Sequence, residues 1–223
     1  TSGNMLGKAI ALNLISLAKR ELGEWQAATE AINQSLEILR RDDIQKNQPS
    51  RILKITLAQN LNSLGQLQLS RGQTEAALIT WQEATSIYQH LGDEVGIIGS
   101  LINQSYALQN LGLYKRELEI LTQVEESLQK QPNSLLKAEV LRSLGVALRR
   151  VGESEKAQQA LQQSLQISEE LRSPQAMGES LIALGNLARV NQDNKTAIAF
   201  YDRVASLSVS PLTKTQADLN KLS

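Results

Sequence analysis

Residues 144–167 read LGVALRRVGESEKAQQALQQSLQI, and the fold follows from the glycine inside them, because Gly152 has counterparts at Gly112, Gly72 and Gly23 upstream and at Gln192 downstream. The intervals are 49, 40, 40 and 40 residues. A fixed period of this size marks stacked structural repeats, each too small to bury its own apolar face. Five units follow, with nine extra residues in the first gap.

Within the period, residue size is patterned. Seven positions before each anchor stand Ser16, Gly65, Ser105, Gly145 and Gly185; five after it stand Ala28, Ala77, Glu117, Ala157 and Ala197. Twelve after it come Ser35, Ala84, Val124, Ser164 and Val204, and nine after it the larger Ile32, Trp81, Leu121, Leu161 and Tyr201. Small side chains let two helices approach closely while the large ones fill the space between them, so each unit is predicted to be an antiparallel helical hairpin. Apolar residues recur at helical spacing, as in Leu141, Leu144, Leu148 and in Ala157, Leu161, Leu165, with no alternating strand pattern. The predicted class is all-α.

Punctuation agrees. Pro49, Pro132, Pro174 and Pro211 each lie shortly before the first helix of a unit, where the missing N–H is harmless. Gly92 is expected to end one helix and Asp93 to cap the next. The units are expected over residues 5–48, 49–91, 92–131, 132–172 and 173–209, with a partial sixth unit or capping helix over 210–223, all forming one array. The polar stretch at 40–50 is expected to be a solvated linker.

The order of leucine, small residue, turn glycine, alanine and large residue, clearest in Leu141/Leu144/Gly145/Gly152/Ala157 and Leu61/Leu64/Gly65/Gly72/Ala77, resembles the tetratricopeptide repeat (TPR). The period of 40 with GDEVGIIGSLIN resembles its longer variety, found in kinesin light chains, spindle-orientation adaptors and bacterial arrays. The glutamine-rich AQQALQQSLQIS is similar to cyanobacterial arrays that precede a caspase-like CHAT domain. The resemblance implies a right-handed superhelix of hairpins whose first helices line a concave groove. It predicts no chemistry, since the motif residues are structural.

Composition narrows function. Lys plus Arg equals Asp plus Glu at 23 each, so nothing draws the chain as a whole to nucleic acid or to an anionic membrane. There is no cysteine and one histidine, which excludes disulfides, Cys/His zinc sites and cysteine nucleophiles. No apolar run approaches the roughly 20 residues that span a bilayer, and the N-terminal stretch lacks a signal-peptide layout. The chain begins with Thr1, as expected of an excised fragment. No phosphate loop or Ser/His/Asp spacing appears. The expectation is a non-enzyme without cofactor or metal; the residues leave the compartment open, with the cytoplasm preferred.

The inward positions of the first helices are then the candidate partner-binding residues: Gln59, Asn62 and Gln66; Asn103, Tyr106 and Gln109; Arg142 and Arg149 beside Glu139; and Asn186 and Arg189 beside Glu179. Amides pair with peptide backbone, Tyr106 offers an anchor with a hydroxyl, and Arg142 and Arg149, seven apart, point the same way as a basic strip suited to carboxylates. The expected partner is a protein or peptide segment, acidic in character, belonging to another protein or to the parent chain. Alternatives are a sensor that binds a signalling peptide to control an effector domain in cis, and a self-association module. The heat-shock type of carboxylate clamp is not expected, because Val146, Ile182 and Ala183 occupy its positions. His90 reads as an ordinary cation at a helix end, and Trp25 and Trp81 as core. Glu125/Glu126 and Glu169/Glu170 read as solvated charge. Glu117, at a close helix contact, is expected to reach solvent or a basic neighbour such as Arg116.

Overall fold

The computed structural model describes residues 2–41, 44 and 50–222. Among them are eleven α-helices and no strand: α1 (Ser2–Glu21), α2 (Trp25–Arg40), α3 (Ser50–Ser70), α4 (Thr74–Leu91), α5 (Glu94–Asn110), α6 (Tyr114–Leu128), α7 (Leu135–Arg150), α8 (Ser154–Glu170), α9 (Pro174–Val190), α10 (Asn194–Ala205) and α11 (Pro211–Leu222). This is the all-α helical repeat array the period predicted. The chain forms two compact units, Thr1–Leu113 and Tyr114–Ser223. The division falls at the turn after α5, inside the third repeat.

In the first unit α1 packs on α2, α3 on α4, and α2 and α4 each cover the next first helix. In the second, α7 pairs with α8 and α9 with α10, while α11 lies on both α9 and α10. First helices of successive repeats also touch, α1 with α3 and α3 with α5, α7 with α9 and α9 with α11, so each unit has one face built from first helices.

The turns work as their residues require. Gly23, Gly72, Gly112 and Gly152 have φ between 72° and 86°, the left-handed region that a Cβ disfavours. Gln192 adopts the same conformation at φ 63° without being glycine. Gly92 ends α4 at φ 63°, and the Asp93 carboxylate accepts from Gly96 N at 3.1 Å, as expected. Ser134, Ser173 and Asp193 cap α7, α9 and α10 in the same way. Pro174 and Pro211 open their helices, whereas Pro49 lies outside the described residues.

The small-to-large pattern is direct contact. A Cβ on Gly65 would stand 2.4 Å from Trp81, one on Gly145 2.6 Å from Leu161, and one on Gly185 2.4 Å from Tyr201. Buried polar nodes tie second helices to first helices. Ser35 Oγ lies 2.6 Å from Ala9 O and 2.5 Å from Asn60 Oδ1; Ser164 Oγ lies 2.7 Å from Ala138 O and 2.9 Å from Ser180 Oγ. Asn60 and Ser180 are the same repeat position, twelve before the anchor.

Three expectations are corrected. Trp25 is 42% exposed at the start of α2 and is not core, while Trp81 is buried as expected. Glu117 is buried and does not reach solvent; the basic partner expected of it is Arg150 of α7, at 3.1 Å, rather than Arg116. Most of the 40–50 stretch lies outside the described residues, but Ile44 within it is buried against Ala9, Leu39 and Leu53 rather than solvated.

Candidate functional site

The first-helix faces carry a ladder of side-chain contacts with a regular offset. Arg20 Nη1 donates to Gln66 Oε1 at 2.5 Å, Arg142 pairs with Glu179 at 3.0 Å, and Asn220 Nδ2 donates to Asn186 Oδ1 at 2.9 Å. The sequence separations are 46, 37 and 34 residues. The first two are each three short of the 49 and 40 residues that separate equivalent positions in their repeats, so those neighbouring first helices are staggered by about one turn; the third joins α9 to the partial sixth unit, which has no anchor of its own. A side chain therefore meets the residue one turn earlier on the next helix, and the sequence pattern alone does not display that pairing.

In the first unit the predicted residues fall on this face. Gln59 is exposed; Asn62, Gln66, Asn103, Tyr106 and Gln109 are half-buried. Asn62 Nδ2 lies 3.5 Å from the Tyr88 hydroxyl, while its buried Oδ1 has no hydrogen-bond partner among the described residues. Tyr88 is held above its ordinary pKa, first by burial and then by the Asp93 charge. Gln66 is already engaged by Arg20.

In the second unit the structure separates residues the sequence had grouped. Arg142 is neutralised by Glu179, which also accepts from Gln175 Nε2 at 2.8 Å, so the expected pair of available arginines is not formed. The stagger is the reason: it brings a glutamate of the next helix beneath Arg142. Arg149 differs. The position one turn earlier on α9 is Asn186, whose Oδ1 is already taken by the Tyr201 hydroxyl at 2.8 Å and by Asn220.

Arg149 is half-buried, and its buried Nε has no hydrogen-bond partner among the described residues. Its affinity for the proton is lowered by burial first, then by the charges of Arg150 and Arg189, with Tyr201 acting the other way. Burial raises the Tyr201 pKa against the opposing pull of Arg189 and Arg149. Arg149 and Arg189 occupy the same position in successive repeats, in the last turns of α7 and α9, where the helix dipole favours cations. The result is a concentration of positive charge around a guanidinium that is not fully hydrogen-bonded.

His90 ends α4 with Nδ1 2.6 Å from Ser86 O, an ordinary helix-end contact. Glu169 pairs with Arg203 at 3.1 Å and Glu170 accepts from Asn133 at 2.7 Å, on exposed ground. Among the described residues, no three His, Cys, Asp or Glu side chains converge as metal ligands, and no helix is long and apolar enough to cross a membrane.

No family model matches the sequence, and no curated protein matches it. Solved structures do match. BtubC (BKLC) from P. vanneervenii superposes with a TM-score of 0.76 at 18% identity, over 91% of this chain and 80% of that one. A Podosopora anserina protein described as a kinesin light chain with nearly identical TPR-like repeats gives 0.71 at 18% identity, over 90% and 95%. The fold is TPR-like. A Rap protein complexed with Competence and Sporulation Factor also shares this TPR-like fold, with a TM-score of 0.72 at 12% identity over 95% of this chain and 55% of that one.

Proposed function

We propose that this chain is a protein-interaction scaffold, without catalytic chemistry of its own, whose second unit takes an acidic side chain of a bound peptide at the Arg149/Arg189 end of its first-helix face. The observation that carries this reading is Arg149: a half-buried guanidinium with an unpartnered Nε, beside two further cations. Such a group is costly in isolation and improves when a carboxylate arrives. Arg142 takes no part, since Glu179 already serves it. Asn186 and Tyr201 hold the floor of the site, and on the first unit Gln59, Asn62, Gln66, Asn103, Tyr106 and Gln109 offer a surface for peptide backbone and side-chain amides.

One carboxylate does not make a tight complex. A charge-assisted bond contributes about 1.5–3 kcal/mol, while micromolar binding requires about 8. The arginines therefore select, and the remaining contacts supply affinity. Titrating isotope-labelled protein with N-acetyl-glutamate amide tests the site: saturable amide shifts are expected in the last turns of α7 and α9, and their loss in Arg149→Gln. Shifts that are absent, or unchanged in that variant, overturn the assignment.

A second reading is favoured by one comparison. A matched Rap protein is complexed with Competence and Sporulation Factor. On this reading the same face binds a signalling peptide and biases an attached effector domain. Peptide binding would then change the scattering profile of the chain, and an unchanged profile would leave only the scaffold.

A further inference from the structure

Sixteen residues after the first three anchors the repeats carry Leu39, Tyr88 and Leu128, all buried; the fourth carries Ser168, buried within α8, and the fifth Ser208, exposed beyond the end of α10. The large side chain of the first three repeats is missing at Ser168, and a cavity of about 440 Å³ opens there between α7, α8 and α9. Twelve before the next anchor stands Ser180, smaller than Asn60 of the second repeat and matched by Ser100 in the third. The first three repeats thus serve as internal controls: a polar hollow stands where they carry a buried leucine or tyrosine.

Its lining is rich in acceptors. Each serine has one hydroxyl hydrogen. Ser164 donates to Ala138 O at 2.7 Å, Ser168 to Ser164 O at 2.8 Å and Ser180 to Ala176 O at 2.9 Å, so each hydroxyl hydrogen is committed and the oxygens remain as acceptors, those of Ser164 and Ser180 lying 2.9 Å apart. Gln175 Nε2 donates to both Glu179 and Thr213. Two carboxylates, Glu139 and Glu179, line the space against one guanidinium, that of Arg142. Leu135, Ala138 and Ala176 supply apolar wall.

We propose that this cavity receives the side chain of a lysine or arginine from a bound peptide, with the aliphatic stem against Leu135, Ala138 and Ala176 and the cationic head on the carboxylates and serine oxygens. Lysine and arginine heads donate hydrogen bonds and accept none, which matches an acceptor-lined site, and their long stems suit a partly apolar wall. Glu139 and Arg149 lie ten residues apart on one helix, about 15 Å. An extended peptide rises about 3.3 Å per residue, so a peptide using both ends carries its basic and acidic residues about four or five positions apart. That spacing rests on the proposed function; the cavity does not.

Titration of the full labelled chain with N-acetyl-arginine amide, N-acetyl-lysine amide and the neutral N-acetyl-norleucine amide tests the inference. Saturable shifts are expected at residues 164, 168, 176 and 180 with the two cations and not with norleucine. Ser168→Leu, which installs the residue of the first and third repeats, is expected to weaken them about tenfold or more, the factor given by 1.4 kcal/mol, with the melting temperature maintained. Glu139→Gln, which leaves the volume unchanged, is expected to weaken them as well. Equal binding of norleucine, absence of shifts with both cations, or binding retained in both variants overturns the proposal. Failure of N-acetyl-glutamate amide at Arg149 in the same protein would count against the proposed function alone.

Discussion

Glu117 in the first turn of α6 sits with a carboxylate oxygen 3.1 Å from Arg150 Nη1 on α7, and that guanidinium lies 5.7 Å from the centre of the Tyr114 ring. The position belongs to alanine in every other repeat, Ala28, Ala77, Ala157 and Ala197, all buried. The third repeat has therefore replaced a close apolar contact by a buried ion pair. Its two halves are unequal: Glu117 is shielded, whereas Arg150 retains 21% of its side-chain exposure.

That inequality predicts asymmetric mutants. Arg150→Ala strands a buried carboxylate and is expected to cost about 3–5 kcal/mol. Glu117→Ala leaves an arginine that reaches water and is expected to cost clearly less. The double variant Glu117→Ala/Arg150→Leu restores the pattern of the other repeats and is expected to be close to wild type. Chemical denaturation of the three proteins checks the order, and equal costs for the single variants would contradict it.

The same pair sets a pH dependence. Burial raises the Glu117 pKa above its ordinary 4.5, more than Arg150 lowers it. A carboxyl with a raised folded-state pKa binds more protons in the folded than in the unfolded chain between the two values, so its contribution is present below 4.5 and is lost as pH rises through the folded pKa. Wild type is expected to lose stability relative to Glu117→Gln across that window. Parallel stability profiles of the two proteins would refute this.

Gly185 and Tyr201 define a second test. Gly185→Ala puts a methyl group within 2.4 Å of the ring and is expected to cost about 1–3 kcal/mol. The first repeat places Ser16 and Ile32 at the same two positions. Tyr201→Ile should therefore relieve the alanine variant, giving a coupling energy in a double-mutant cycle. Additive effects would mean that the ring is not the obstacle.

The anchor turns supply a third. Gln192 holds φ 63° where four other repeats use glycine. Gln192→Gly is expected to stabilise by about 0.5–1 kcal/mol, and Gly152→Ala to destabilise by about 1–2. Thermal melts of the pair should move in opposite directions.

The two tryptophans report separately. Trp81 is buried with Nε1 donating to Asn62 O at 3.2 Å, and Trp25 is exposed. Trp25→Phe is expected to leave blue emission resistant to acrylamide, and Trp81→Phe to leave red, quenchable emission.

Sequence by itself determined the class, the hairpin arms and their turns, because these follow from local rules: helical spacing, glycine where φ is positive, proline at a first helical position, and small residues facing large ones. It misplaced Trp25, which shares a turn with core positions but faces water, and it left Glu117 without its partner, because Arg150 lies 33 residues away on another helix. It also grouped Arg142 with Arg149 from their spacing along one helix. Only the packing of one repeat on the next decided between them. The stagger between first helices gives Arg142 a glutamate and leaves the Arg149 Nε unsatisfied, and the cavity at Ser168 likewise exists only because three helices meet around a side chain too small to fill the space.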